Sequence, residues 1–245
     1  DKIIPFKFDK EKAKETFLRF AKKKFFVPRD YFSPEQTDKI AGVYYPFWVT
    51  DADTDTAVEA TAAKIRTWRT GKYRYTETSR YHLHRRGKIH FEDIVNSALH
   101  KEDKNMLEGV LPYPSDAHQA FSMPYLLGFS AKRRDVDREA LSDTVRRKME
   151  GYAKTLMQNT AAGYSGFLVE SMDMRVTGSH WDYTLMPLWI LTYQRQGKTY
   201  LYAMNGYTGK VYGELPISFG KLFLVFGALF AVLTVLFGLI GGWLF

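Results

Sequence analysis

Two histidines at His-x-His spacing are the residues best suited by type and spacing to do chemistry. His82 and His84 fall on one face of a segment with strand-forming composition, and such a pair can supply two zinc ligands. A third ligand at a diagnostic spacing is missing, because only Glu77 and Glu92 lie nearby in the sequence. The alternative is a polar strand face that becomes basic below about pH 6.5. A metal-dependent hydrolase built on these histidines is the least favoured function.

Two further patterns resemble ligand-binding motifs but depart from them. Gly197-Lys198-Thr199 matches the end of a phosphate-binding loop, but position 192 holds threonine where the first glycine is required. That segment is also predicted to join two strands, whereas a phosphate-binding loop joins a strand to a helix. The alternating aspartates of residues 51–55 start like a calcium loop, but Thr56 replaces the required glycine. We therefore expect a hairpin turn and a solvated acidic turn.

Composition narrows the chemistry further. The chain has no cysteine, so it offers no thiolate nucleophile, disulfide or thiolate metal site. No GxSxG motif is present, and neither a helix-turn-helix nor an RNA-binding sheet signature accompanies the basic residues. We predict that the chain is not an enzyme, that it binds no cofactor within its own length, and that nucleic acid is not its partner.

Three basic runs contribute much of the formal net charge of +8. Anionic lipid headgroups attract such residues by about 1 kcal/mol each close to a membrane surface. The alternative is that the runs are solvated helix faces. The predicted membrane- or partner-facing patch consists of Lys22, Lys23, Lys24, Lys132, Arg133, Arg134, Arg146, Arg147 and Lys148.

The last stretch of the sequence, residues 222–245, contains no charged residue. At about 1.5 Å per helical residue it is long enough to cross a hydrocarbon core of roughly 30 Å. Inside lipid the backbone must satisfy its own hydrogen bonds, so the stretch is predicted to be a helix. A basic residue precedes it and none follows, which by the positive-inside tendency places the bulk of the chain in the cytoplasm. The predicted tail anchor is marked by Lys221, Leu222, Trp243 and Phe245.

The remaining sequence alternates helical and strand-like segments and predicts an α+β fold, with antiparallel β-meanders packed against two amphipathic helices. A shared Pro-apolar-Trp pattern at 45–49 and 186–190 raises the hypothesis of two duplicated lobes. Predicted helices cover 9–24, 102–109 and 135–159, and predicted strands cover 43–50, 57–69, 73–86, 167–177, 181–194, 198–204 and 210–214. The predicted segments are an N-terminal helix and entry loop (1–40), a first β lobe with a loop-rich connection (41–130), a long helix with a second β-meander (131–218) and the membrane anchor (219–245).

Several blocks of the sequence resemble the bacterial TFIIB-type zinc-ribbon membrane proteins, some of which carry primosomal-helicase labels. In that family one or two Cys-rich zinc ribbons precede the equivalent of Asp1, so the resemblance implies that any zinc lies upstream of this chain. It implies no catalytic residue, and it implies a scaffold linked to SPFH proteins or to the phage-shock, ESCRT-III-like response to membrane stress. The blocks that carry the resemblance are DKIIPFKFDKEKAKETF, GVYYPFWVTDAD, KIRTWRTGKYRYTETSRY, FSMPYLLGFSAKRRDV and YAMNGYTGKVYGELP.

The expected function is that of a non-enzymatic, single-pass membrane protein that acts as a cytoplasmic adaptor or scaffold. Its expected partners are the membrane, anionic lipid headgroups and membrane-associated SPFH or ESCRT-III-like proteins. The alternative is a membrane-tethered domain that binds a lipid or small ligand in a cavity between the sheet and the helices.

Overall fold

Strands account for much of the chain, and two of them are unusually long. A computed structural model describes residues 1–195 and 197–244, with the side chains of Arg29, Phe32 and residues 239–244 left aside. The strands are β1 (Lys2–Ile3), β2 (Ala41–Thr70), β3 (Tyr73–Ser97), β4 (Gln119–Ala120), β5 (Ser130–Ala131), β6 (Phe167–Arg195), β7 (Lys198–Asn205) and β8 (Val211–Gly213). The α-helices are α1 (Lys10–Lys22), α2 (Pro34–Thr37), α3 (Lys104–Gly109), α4 (Arg138–Asn159) and α5 (Phe219–Leu244).

The strands form one eight-stranded sheet, and the predicted α+β class is confirmed. Its main path runs β3-β2-β6-β1-β4, while β5 pairs with β2 and β7 lies between β6 and β8. The chain divides into two compact units that are discontinuous in sequence. Unit 1 comprises Asp1–Lys2, Pro46–His100 and Arg133–Thr184, and unit 2 comprises Ile3–Tyr45, Lys101–Lys132 and Leu185–Phe245. The four sequence segments predicted above remain a prediction.

Unit 1 is built on the antiparallel hairpin of β2 and β3, which pair from Phe47↔Ser97 to Thr70↔Tyr73. Between Ala52 and Ala62 the even-numbered residues of β2 are buried and the odd-numbered ones are not, as expected for a sheet with one covered face. Helix α4 covers that face, packing Val145, Met149 and Ala153 into a cluster with β2, β3 and β6 residues.

Unit 2 packs α1 against the strands β6 and β7. Phe17 is fully buried, with its ring centroid 5.2 Å from that of Tyr31 and 5.0 Å from that of Tyr202. Tyr202 is also fully buried, and Trp189 packs into the same cluster. The apolar residues of α1 recur at helical spacing and therefore lie on one face of the helix. That face packs into this aromatic cluster.

Local signals in the sequence were reliable at caps and turns. The Asp9 side chain caps α1 by accepting a hydrogen bond from the Lys12 amide at 2.8 Å. Asp137 occupies the N-cap position of α4, which begins at Arg138, but its side chain makes no capping hydrogen bond. The predicted hairpin at residues 70–72 is confirmed, and Gly71 supplies the positive φ of 61° that its turn requires.

The predicted strand boundaries were wrong in three places, one of which is the strand expected over 73–86, because β3 continues to Ser97. The expected strands 43–50 and 57–69 form the single strand β2, and 167–177 and 181–194 form the single strand β6. In β2 the polar stretch continues the strand because Thr54 and Thr56 are buried on the covered face. A bulge between Thr50 and Ala52 absorbs the irregularity. The second Pro-apolar-Trp pattern lies well inside β6 and does not open a strand; the hypothesis of duplicated lobes remains a prediction.

Removal of the Phe17 ring should destabilise unit 2 substantially. We expect Phe17→Ala to lower the free energy of unfolding by about 3–5 kcal/mol, because it leaves a cavity inside the aromatic cluster. Urea titration of the full chain in detergent, followed by circular dichroism, measures this. Met123→Ala is the control, since Met123 is 70% exposed and its loss should cost no more than about 0.5 kcal/mol. Equal effects of the two substitutions would contradict the assignment of the core.

Candidate membrane interface

After Lys221, the described side chains of helix α5 are uncharged and almost all apolar, and they are exposed. Residues Phe219–Gly238 form the one helix of the described residues that is long and apolar enough to cross a membrane, and none of that window is buried. Its large side chains, among them Phe223, Phe226 and Phe230, are exposed. The predicted anchor residues Lys221 and Leu222 lie in its first turn. The side chain of Trp243 and the whole of Phe245 lie outside the described residues.

The start of α5 is fastened to the loop that follows α1. The Ser218 amide donates to the Phe26 carbonyl at 2.7 Å. The Lys221 ammonium donates to the carbonyls of Val27 at 2.7 Å and Phe25 at 3.3 Å. Hydrogen bonds from a charged donor are among the stronger ones in proteins. These contacts hold the base of the helix against a segment that lies almost two hundred residues earlier in the chain.

This attachment brings the first basic run to the base of α5. Lys22, Lys23 and Lys24 immediately precede Phe25, and within the described part of the chain no ion pair involves their ammonium groups. Phe25 is 68% exposed, and the Lys221 ammonium lies 6.0 Å from its ring centroid. We call this group, with the exposed Ile217 and Phe219, the collar. It combines free cations with apolar side chains at one end of an apolar helix.

The second predicted basic run is engaged in the fold. Lys132 forms an ion pair with Glu102 and lies 5.3 Å from the ring centroid of Tyr45. The Arg134 guanidinium lies 5.1 Å from the ring centroid of Trp48 and 5.5 Å from that of Tyr183. Arg133 is exposed between them. Two of these three cations therefore act in packing, and a role for the run in membrane binding stays a prediction.

The third run is used in the same way. The Arg146 side chain bonds Glu150 at 3.0 Å and the Met174 carbonyl at 3.2 Å. The Lys148 ammonium donates to the Val95 carbonyl at 2.9 Å. Arg147 donates to the Thr144 hydroxyl at 3.3 Å. The bonds to Met174 and Val95 attach α4 to β6 and β3, whereas the other two lie within the helix. A membrane role for this run also stays a prediction.

The two predicted zinc ligands each contact a carboxylate of their own. His82 Nε2 lies 3.4 Å from Glu170, and His84 Nδ1 lies 3.1 Å from Glu59, its direct cross-strand neighbour. Among the described residues no group of three or more His, Cys, Asp or Glu side chains is arranged to hold a metal ion. The sequence showed that the histidines share a face, but not that each would lie beside a carboxylate on another strand.

His90 belongs to the same open face of the sheet and carries a clear electrostatic signature. Its Nδ1 lies 2.7 Å from Asp53, the cross-strand neighbour, and its Nε2 lies 3.4 Å from Glu92. The hydrogen bond with Asp53, followed by the charges of Asp53, Glu92 and Asp51, raises the pKa of His90 above its ordinary value. The interaction therefore stabilises the protonated ring on an exposed strand face.

The remaining sequence motifs are structural. Gly197, with φ of 76°, lies in the hairpin between β6 and β7, and Lys198 lies 3.7 Å from Glu214; Gln196 of the same predicted turn lies outside the described residues. Asp51 accepts a hydrogen bond from the Asp93 amide at 2.9 Å, and Asp55 binds Arg86 at 2.8 Å. The acidic segment is therefore strand, not a turn, and its carboxylates have protein partners.

One polar cluster had no signal in the sequence. Asp30 accepts a hydrogen bond from the Tyr193 hydroxyl at 2.5 Å and binds Arg195 at 2.8 Å. The Tyr193 hydrogen bond, with the Arg195 charge, holds the pKa of Asp30 below its usual range. Both partners lie more than 160 residues away along the chain. Since both carboxylate oxygens are engaged, the cluster joins the loop after α1 to β6 as a fixed ion pair.

An aromatic groove lies in unit 2. This groove of about 410 Å³ is lined by aromatic residues that include Phe6, Tyr44, Tyr125 and Phe129. The rings of Phe6 and Phe129 stack with centroids 4.1 Å apart. Its volume lies in the range of small-ligand pockets, about 300–1,000 Å³. The groove lies between loops and the start of β2, and the ligand-binding alternative stays a prediction.

The fold and the collar together define a mixed α+β protein with one candidate membrane span at the end of the described chain. No protein-family model matches the sequence, and no solved structure matches it. The chain is similar to a protein of Bacillus subtilis (strain 168) named uncharacterized protein YdjG, with 29% identity over 217 residues. The alignment covers 89% of this chain and 64% of YdjG, so the chain spans less than two thirds of that relative's length.

The His90–Asp53 pair should make stability depend on pH in one direction. Folding raises the pKa of His90. The contribution of the pair to the free energy of unfolding is therefore fully present below the ordinary histidine pKa, and it is lost as pH rises through the raised value. Asp53→Asn should move the pKa of His90 down. Histidine-selective NMR titration of the full chain, assigned with His90→Gln, measures it; Glu77→Gln, outside the pair, is the control. An unchanged His90 pKa in Asp53→Asn would contradict this pairing.

Loss of the Lys221 ammonium should loosen the base of α5. Lys221→Met keeps the length of the side chain but removes the donors to Phe25 and Val27. We expect backbone amides in residues 25–27 to exchange about ten-fold faster or more, the equivalent of one charge-assisted hydrogen bond. Hydrogen exchange with mass spectrometry on the full chain in detergent measures this, with Lys101→Met as a control at an exposed lysine. Unchanged exchange at 25–27 would show that the collar does not depend on Lys221.

Proposed function

We propose that the chain is a non-enzymatic, membrane-anchored adaptor that holds partner proteins at the membrane surface. One observation carries the proposal: an exposed apolar helix of spanning length whose base is fixed by hydrogen bonds to a loop bearing free lysines. A bilayer satisfies both features, because it covers the apolar side chains and offers anionic headgroups to the cations.

The collar supports an orientation in which the bulk of the chain faces the cytoplasm. The sequence places one lysine, Lys221, at the entry to the apolar stretch, and the fold adds Lys22, Lys23 and Lys24 at the same end of the helix. Basic residues favour the cytoplasmic side of a membrane span, and the cytoplasmic leaflet is the one that carries anionic lipids. Four lysines at one end of α5 therefore favour this orientation more strongly than one.

The adaptor role is supported by the sequence resemblance and by the chemistry of the described surface. The TFIIB-type zinc-ribbon membrane proteins are linked to SPFH proteins and to ESCRT-III-like systems of membrane stress, and we propose partners of these two kinds. This chain has no cysteine, so it cannot form a thiolate zinc ribbon itself, and its strand histidines face carboxylates. Any zinc ribbon must therefore lie outside this chain, and no step of the proposed function uses zinc.

Tethering supplies the mechanism. A helix fixed in the bilayer confines the two units to the membrane surface, which raises their effective concentration for other membrane-bound proteins. The two units then offer surfaces for docking. No chemical transformation of a substrate is needed.

In-membrane crosslinking with mass spectrometry tests the proposal. On the intact protein at native abundance, we expect SPFH or ESCRT-III-like proteins crosslinked to residues before 218. Deletion of residues 222–245 should release the chain into the soluble fraction and abolish those crosslinks, because both depend on the anchor.

A matched control separates the anchor from the attraction of the headgroups. Replacement of Lys22, Lys23 and Lys24 by glutamine should leave the chain in the membrane fraction, since α5 is intact. Membrane retention after the 222–245 deletion at high salt, which screens the attraction of cations to headgroups, would refute α5 as the anchor. Crosslinks to bulk membrane proteins alone would refute the adaptor.

A further inference from the structure

The hairpin of β2 and β3 extends beyond the sheet that supports it. Where this support ends, the Ala63 carbonyl accepts a hydrogen bond from the Ser165 amide at 2.6 Å, and the Lys64 ammonium lies 5.2 Å from the ring centroid of Tyr164. From Lys64 to Thr70, and from Tyr73 to Thr78, residues on both faces of the two strands are exposed. At about 3.3 Å per residue the projecting part is roughly 20 Å long. We call residues 64–80 the arm.

The arm carries a large excess of positive charge. It contains six basic residues and one acidic residue, and within the described chain none of the six forms an ion pair. Arg69 and Arg74 lie directly opposite each other in the register. Like charges in that position destabilise a strand pair, and Lys72 adds a third cation at the turn. An anionic ligand at the tip would remove this repulsion.

The arm also exposes aromatic side chains next to these cations. Trp68 and Tyr75 are cross-strand neighbours whose rings stack with centroids 5.7 Å apart and an interplanar angle of 16°. Tyr73, at the turn, is 71% exposed. Isolated two-stranded ribbons are marginally stable in water, so exposed rings on such a ribbon gain from burial against another surface. Tryptophan and tyrosine are enriched at the headgroup level of membranes.

We infer that the arm is a second membrane contact, which binds the headgroup layer of an anionic phospholipid bilayer. Arg69, Arg74 and Lys72 bind lipid phosphates and carboxylates, while Tyr73 and the Trp68–Tyr75 pair enter the interface. A bilayer fits better than nucleic acid because Trp68 and Tyr75 stack on each other, which leaves no gap between them for a base. The choice of a bilayer rests on the membrane location proposed above for α5.

Hydrogen exchange of the full chain in lipid nanodiscs tests the inference. One set of nanodiscs contains only phosphatidylcholine, and the other contains in addition phosphatidylserine. Anionic lipid should slow exchange of the arm amides, and added salt should reverse the effect. Arg69→Gln with Arg74→Gln should reduce the partitioning of the arm about thirty-fold, since each cation contributes a few-fold to ten-fold near an anionic surface. Lys88→Gln with Lys154→Gln removes the same charge outside the arm and should leave arm protection unchanged.

The outcomes separate the arm from the anchor. In one outcome, residues 219–238 are protected from exchange in both kinds of nanodisc, and the arm exchanges at the same rate in both. This outcome would overturn the inference about the arm but would support α5 as the anchor. Failure of the chain to enter nanodiscs would instead overturn the anchor, and with it the reason for choosing a bilayer. A third outcome is that duplex DNA or RNA, added to phosphatidylcholine nanodiscs, protects the arm from exchange while phosphatidylserine does not. This outcome would overturn the inference in favour of nucleic acid.

Discussion

The burial of Phe17 between Tyr31 and Tyr202 is the interaction on which the collar depends. It fixes α1 on the strands of unit 2 and so determines where the segment after α1 emerges. That segment presents the carbonyls of Phe25 and Val27 to the Lys221 ammonium. A helix base held in this way cannot move far from the lysines of the collar. Aromatic packing inside unit 2 therefore determines which lysines lie near the start of α5.

The structure of unit 1 depends on how far α4 and β6 extend along the hairpin of β2 and β3. Where α4 and β6 cover or flank β2, its side chains alternate between buried and open faces, and the open face pairs histidines with carboxylates. Beyond Ala63 the side chains of β2 are exposed on both faces of the hairpin. The same two strands therefore serve as a core element at one end and as a projecting arm at the other. Threonines such as Thr67 and Thr76, which favour extended backbone, continue the ribbon past its support.

Much of the local structure could be predicted from the sequence, because caps, turns and the apolar stretch depend on neighbouring residues. Asp9, Gly71 and the α+β class are examples. The joining of strands into β2 and β6 could not, since the covered face is completed by Thr54 and Thr56, which look like turn residues without their partners. The collar could not be predicted from the sequence either, because only the packing of unit 2 brings Lys24 and Lys221 to the same end of α5. The pairing of His82 with Glu170 likewise links strands far apart in sequence.

The distribution of charge shows why a basic composition alone says little about function. Two of the three basic runs have most of their cations engaged, in stacking on Trp48 and Tyr183 or in bonds that attach α4 to the sheet. A cation committed to a carbonyl or a ring has less to gain from an external phosphate, since it would lose one partner to win another. Lys22, Lys23 and Lys24 of the collar and Arg69, Lys72 and Arg74 of the arm have no such partner among the described residues, and both groups lie beside exposed aromatic rings. Free charge next to exposed apolar surface is the combination that water solvates poorly and that a headgroup layer matches, and this argues for the membrane more strongly than the net charge does.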